Sequence, residues 1–194
     1  MLPRMNTTTT STGTVPTTLT RWTLDPGHSA VGFSVRHLMI TNVRGEFEKY
    51  HAEVTYDPAQ PGATRVAATI EVASLTTREA KRDADLRGPL FFDADNHPAM
   101  TFVSKRAHRA ADGGLDVVGD LTIRGVTREV TLAIRDISGP ATDMRGSTRL
   151  GATATARIQR SDFGMTWNKA LETGGVVVGD VVTVTLEASL VRAP

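Results

Sequence analysis

The side chains here whose chemistry could hold a metal or attack a bond are five histidines, two close aspartate pairs and scattered serines. His28 and His37 flank one stretch of alternating residues at an odd separation, which puts them on opposite faces of a regular strand and keeps them from sharing an ion. His51 and His108 sit among polar residues and read as solvent-facing, and His97 precedes Pro98 in a loop. None of these spacings is that of a zinc site. No serine lies in a Gly-x-Ser-x-Gly elbow, and His28-Ser29 and Ser161-Asp162 are only neighbours in sequence. The glycines from Gly174-Gly175 to Gly179 are followed by Asp180 rather than Lys-Ser or Lys-Thr, so they make a turn rather than a phosphate loop. Asp83 and Asp85 fall two apart in a charged helical stretch and point in different directions. Asp93 and Asp95, beside Asn96, suit turn hydrogen bonds. With no cysteine, thiolate chemistry and disulfides are excluded. The expectation is a protein with no catalytic residue, no metal and no cofactor, and not an enzyme.

The aromatic residues form a more coherent group. These are chiefly Phe33, Phe47, Phe91, Phe92, Phe102, Phe163 and Trp167, and several adjoin apolar segments that carry methionine: Leu38-Met39-Ile40, Pro98-Ala99-Met100-Thr101-Phe102 and Phe163-Gly164-Met165-Thr166-Trp167. As a core they need no further account. As a pocket they supply adaptable apolar walls free of polar competitors.

These residues are carried by segments of period two. Val31, Phe33 and Val35 alternate with smaller or polar residues, and so do Tyr50 to Tyr56, Val66 to Val72, Leu115 to Ile123, Val130 to Ile134, Leu150 to Ile158 and Val182 to Leu190. Such alternation predicts strands with one buried and one wet face. Asp57-Pro58, Pro61-Gly62, Asp112-Gly113-Gly114, Gly139-Pro140 and the tight Arg124-Gly125 hairpin separate them. One helix is predicted over Thr77 to Arg87, with Thr76 and Glu79 at capping-box spacing and Gly88-Pro89 ending it. A single helix cannot supply the crossovers of a parallel sheet, so about eight strands pair antiparallel. No strand shows a strong edge guard, which favours closure into a barrel over a sandwich. Ala152, Ala154 and Ala156 follow one another on the apolar side of their strand. They leave room either for large neighbours or for a ligand.

A chain of 194 residues with 40% hydrophobic and 22% charged residues suits one globular domain. The net charge of +1 gives no field to gather nucleic acid or to hold an anionic membrane. No segment reaches the roughly 20 apolar residues of a membrane span, and the threonine-rich start lacks the apolar run of an export signal. We expect a disordered leader over 1–21, a domain over 22–192, and a cytoplasmic location.

The stretch His28-Ser29-Ala30-Val31-Gly32-Phe33-Ser34-Val35-Arg36-His37-Leu38-Met39 resembles the opening strand of the YceI-like, polyisoprenoid-binding proteins. Val43 to Phe47, Asp83, Leu86, Arg87, Phe91-Phe92-Asp93 and Pro98 to Phe102 continue the resemblance. Gly119-Asp120-Leu121-Thr122-Ile123-Arg124-Gly125-Val126-Thr127-Arg128 is its most specific block, and Arg160, Asp162 to Met165, Trp167-Asn168 and Leu171 to Gly175 complete it. Asp85 stands where members often carry histidine, and Leu90 where they often carry an acid. The resemblance implies an all-β, lipocalin-like, extended eight-stranded antiparallel barrel with one short helical insertion. It implies a long apolar cavity for a long-chain isoprenoid lipid in a protein that is non-catalytic and often a homodimer, with no nucleic-acid partner and no stable membrane insertion. On that reading Val31, Phe33, Val35, Phe92, Met100, Phe102, Phe163 and Trp167 line the cavity, and Arg36, His37, Arg87 and Asn168 are candidates for a polar headgroup. Two other readings stay open: a filled barrel used for protein interaction, and an enzyme that pairs His37 with an inward-facing acid.

Overall fold

Alternating sequence becomes alternating geometry throughout the chain. The computed structural model describes residues 19–172 and 174–194. Most of the expected leader, and Thr173 of the Leu171–Gly175 turn, lie outside them. The strands are β1 (Thr20–Leu24), β2 (Ala30–His37), β3 (Thr41–Phe47), β4 (Tyr50–Tyr56), β5 (Arg65–Glu71), β6 (Leu75–Thr76), β7 (Ala99–Arg109), β8 (Leu115–Ile123), β9 (Val126–Thr142), β10 (Thr148–Gln159) and β11 (Val178–Arg192), with α1 (Ala80–Arg87) between β6 and β7. The first strand starts at Thr20, where the β1–β4 ladder opens with the Thr20–Tyr56 pair.

All pairings are antiparallel, and the ring β1-β4-β5-β7-β8-β9-β10-β11 closes where β11 returns to β1. It is the expected eight-stranded barrel, built from more segments than eight because three strands are interrupted. β11 pairs with β1 through Leu190–Arg192 and with β2 through Val178–Glu187, so β1 and β2 are one strand broken at the Pro26–His28 turn. In the same way β3 continues as β4, and β5 continues as β6 past the Val72–Ser74 turn. The barrel therefore has an α1 end, where the β2–β3 and β8–β9 turns and the β10–β11 connection lie, and a far end, where β1 starts and β11 finishes.

The β8–β9 turn holds Arg124 and Gly125 at φ of 52° and 72°, the positive pair that a two-residue hairpin matched to strand twist requires. β9 slips its register where Asp136 adopts a φ of 51°, so that Ile134 and Ile137, an odd step apart, both face inward.

The helix is shorter than expected. Glu79, not Thr76, is its N-cap, with its carboxylate accepting from the amides of Lys81 and Arg82 at 3.1 and 2.6 Å. Thr76 and Thr77 instead bind Asp83, which is buried and accepts from Thr77 N at 2.8 Å, Thr77 Oγ1 at 2.5 Å and Thr76 Oγ1 at 3.3 Å. Burial alone pushes the Asp83 carboxyl up, but these hydrogen bonds outweigh it together and leave its pKa lowered.

On the outside, Asp25 caps the turn that breaks β1 from β2 and ties it to β10. Its carboxylate meets Arg149 at 2.6 Å and His28 Nδ1 at 2.7 Å, and Arg149 also meets Asp143 at 2.6 Å. The Arg149 hydrogen bond, helped by His28, lowers the Asp25 pKa from 3.8 to about 2. A depressed folded pKa means that this stabilisation is complete above the unfolded carboxylate value and is lost as pH falls through about 2. Asp25→Asn is expected to lower the thermal midpoint at neutral pH and to flatten the loss of stability between pH 3.8 and about 2. Thermal unfolding followed across that window by circular dichroism checks it.

Candidate functional site

The inward faces of the strands enclose a cavity along the barrel. The space open to the centre of a water-sized sphere is about 240 Å³, where about 10–15 Å³ suffices for one water molecule. β10 contributes Leu150, Ala152, Ala154, Ala156 and Ile158, a run of about 26 Å along the strand. On the flanking strands, Val182, Val184 and Leu186 of β11 and Val130, Leu132 and Ile134 of β9 keep accessible surface although they point inward. The lumen is therefore unfilled.

Where the aromatic rings go explains why it stays open. The Phe33 ring lies over Gly45 of β3, and the Phe102 ring lies over Gly119 of β8. A Cβ built on Gly119 would stand 2.6 Å from Phe102 Cζ and 2.5 Å from the Val103 carbonyl oxygen. Rings laid flat in glycine notches cover the wall and do not cross the lumen, so the space beside the alanines is not taken up.

The structure puts Val31, Phe33, Val35, Phe92, Met100 and Phe102 on the cavity wall. Phe163 and Trp167 are off it. Regular alternation stops at Gln159, and the Arg160–Phe163 turn directs Phe163 into the packed core at 1% exposure. Trp167 stands on the rim at 39% exposure with its ring 5.5 Å from that of Phe91. The four headgroup candidates are also off the wall, at the α1 end, and the polar side chains of Arg36, Arg87 and Asn168 hold loops there. Arg36 donates to the Met39 carbonyl at 3.1 Å, and Arg87 donates to the carbonyls of Ala73 and Leu75. Asn168 bridges the amide and carbonyl of Val178 at 3.1 and 2.7 Å. His37 ends β2 opposite Thr41 and Val178.

The polar side chains on the wall are others: Tyr56, Thr64, Thr101 and Arg160. Arg160 could have been read from parity, since it continues the inward series Leu150 to Ile158 by one more step. It is 5% exposed and forms no salt bridge among the described residues. Its guanidinium donates to the carbonyls of Gly179 (3.0 Å), Met165 (2.5 Å), Trp167 (2.9 Å) and Val178 (3.4 Å), which folds the β10–β11 connection over the α1 end. Burial lowers its pKa, with Asp180 opposing; that carboxylate is engaged by the Ser161 amide and hydroxyl.

The two ends of the cavity differ. At the far end the wall residues Leu24, Thr64, Leu115, Leu150 and Leu190 are all buried, and Trp22 lies with them at 5% exposure. At the α1 end Leu86, Phe91, Phe92 and Val178 are half-buried, and Leu90 beside them is 57% exposed. The cavity thus opens beside α1 and is closed opposite. Two buried polar atoms at the closed end, Thr64 Oγ1 and Trp22 Nε1, have no hydrogen-bond partner among the described residues. Each unpaired group of this kind costs about 1–3 kcal/mol.

Comparison with known proteins follows this geometry. A model of the YceI-like domain matches residues 22–190. A UPF0312 protein of Staphylococcus aureus is 36% identical over 161 residues, which are 83% of this chain and 91% of that protein. The crystal structure of BcnA from Burkholderia cenocepacia aligns with a TM-score of 0.75 at 25% identity, covering 86% of this chain and 98% of that one. A polyisoprenoid binding domain from Saccharophagus degradans, implicated in plant cell wall breakdown, aligns with a TM-score of 0.62 over 91% of this chain and all of its own. At 15% identity that likeness speaks for the fold.

The notch at Gly119 seats both the Phe102 ring and the β7 backbone at Val103 and Ser104, so Gly119→Ala must displace the ring and the strand together. The variant is expected to lose about 1–3 kcal/mol of stability and to shrink the lumen. Thermal unfolding and a crystal structure of the variant check both effects.

Proposed function

The chain belongs to the YceI-like family, and from that premise we propose that it binds a long-chain isoprenoid lipid inside the barrel and acts as a carrier or reservoir. The observation that carries this reading is the lumen itself, an unfilled apolar channel bounded by aliphatic and phenylalanine side chains from around the ring. A flexible apolar chain suits it because the wall demands no directional contact along most of its length. The fold-level likeness to a polyisoprenoid binding domain adds support.

The energetics favour a loading and unloading protein over a permanent holder. A chain of about 40 carbons, at about 0.8 kcal/mol per methylene-sized group, gains roughly 30 kcal/mol against water. No affinity of that size is observed, since non-covalent binding saturates near 18–21 kcal/mol. The competitor in a cell is a bilayer, and exchange between two apolar surroundings is nearly neutral. Selectivity then rests on the shape of the lumen and on its few polar groups. Binding of this kind requires neither catalysis nor a cofactor. The filled-barrel alternative is disfavoured by the free inner surface of Val182, Val184 and Leu186. The enzyme alternative is disfavoured by the position of His37, away from the wall.

Ala154→Phe tests the proposal, because a ring there blocks the middle of the channel. The wild-type protein, incubated with a mixture of membrane lipids and re-purified, is expected to yield a prenyl lipid on extraction and mass spectrometry. The variant is expected to stay folded and to yield none. Recovery of no prenyl lipid from the wild type refutes the carrier reading.

A further inference from the structure

The two unpaired atoms lie at the same end of the barrel. In the β1–β4–β5 ladder Trp22, Val54 and Val66 form one cross-strand row. Tyr56 and Thr64 occupy the next positions toward the far end, so Trp22 and Thr64 stand on either side of β4 where the channel is closed, with Tyr56 on the strand between them. Tyr56 and Thr64 are on the wall, and Thr64 is 1% exposed. Its Oγ1 has no partner among the described residues, and neither has Trp22 Nε1. Buried polar groups in folded proteins are nearly always satisfied, so two orphans in neighbouring rows call for something that satisfies them. Thr64 is a wall residue, and rotation about its χ1 is the movement by which its hydroxyl would reach a ligand in the lumen.

The charge distribution limits what that can be. Arg160 is the charged side chain of the wall, and it lies at the α1 end. No charged side chain of the wall faces the closed end, so a buried phosphate or carboxylate there would go uncompensated. A neutral oxygen has no such difficulty and suits the Thr64 hydroxyl as donor.

We propose that the closed end is a subsite for a neutral oxygen of the ligand, a carbonyl or hydroxyl, held by Thr64 at the end where Trp22 and Tyr56 lie, so that the lipid enters oxygen-first and its tail trails toward α1. The proposal rests on the lipid-binding reading above and names the ligand's polar class and its direction in the channel.

The two tryptophans mark the two ends, Trp22 at the closed end and Trp167 on the rim, and a quinone ring quenches the indole it approaches. Three proteins, wild type, Trp167→Phe and Trp22→Phe, are titrated with a benzoquinone bearing a farnesyl tail. Saturation is expected to remove more than half of the emission of Trp167→Phe, where Trp22 remains, and little of that of Trp22→Phe. The reverse order puts the oxygens at the rim and overturns the proposal. In parallel, Thr64→Val keeps the volume and removes the hydroxyl. Its thermal midpoint is expected to equal or exceed that of the wild type, because a buried orphan is gone. Its affinity for the quinone is expected to fall roughly 3- to 10-fold, and its affinity for the farnesyl hydrocarbon without oxygen to stay unchanged. Equal affinities of the variant and the wild type for the quinone, or an equal loss for both ligands, overturn the subsite while leaving the lipid-binding reading intact. If the wild type takes up neither ligand, that reading fails and the subsite fails with it.

Discussion

Closure at β11 is the constraint on which everything inside the barrel depends. This strand hydrogen-bonds β10 along one edge from Val181 to Val191, and along the other edge it bonds β2 and then β1. Without the second edge the sheet would open, and its inner face of valine, leucine and alanine would meet water. With it, the same residues bound a space from which water gains little. Closure also removes the strand edges that an antiparallel sheet of this size would otherwise expose to other chains.

A closed barrel of eight strands is just wide enough for its own side chains to fill. This one stays open because volume is kept out of the lumen by two devices. β10 spends three inward positions on alanine, and the two phenylalanines that would otherwise reach across are seated over glycines of the adjoining strand. The unfilled volume forfeits dispersion contacts that a packed core would have made. That loss, together with a buried arginine satisfied only by carbonyls and two unsatisfied polar atoms, makes the interior poorly optimised for stability by itself. Such features concentrate where a protein is shaped for a guest.

Much of this was legible in the residues. Period-two alternation located seven strand segments but not β1, β3 or β7, the lone helical stretch excluded a parallel sheet, and the Arg124-Gly125 turn formed as its chemistry requires. The inward positions Val31, Phe33 and Val35 follow from alternation, whereas Met100 and Phe102 stand out as members of the aromatic and methionine group. Parity failed where the backbone left the strand conformation. Phe163 and Trp167 belong to the irregular segment after Gln159, in which side-chain direction is set by hydrogen bonds to Arg160 rather than by period. The helix cap was misplaced because Thr76 and Thr77 are claimed by the buried Asp83, a contact across a turn that no local spacing shows. Arg36, Arg87 and Asn168 carry suitable headgroup chemistry, but each is committed to backbone atoms nearby. The orphan at Thr64 could not be anticipated, since it depends on which atoms fail to arrive, and only three-dimensional packing decides that.

The interrupted strands have a mechanical consequence. β1/β2, β3/β4 and β5/β6 are consecutive around the ring and each is broken once along its length, whereas β7 to β11 each run through as one strand, with register shifts in their ladders. Backbone hydrogen bonds still run across the breaks, from the Asp25 amide to the Ser189 carbonyl (2.8 Å), from Glu48 to Ser74 (3.2 Å) and from Glu71 to Lys49 (2.9 Å), so each break bends its strand without opening the ring. The break between β1 and β2 is also latched from outside, by the Asp25–Arg149 ion pair.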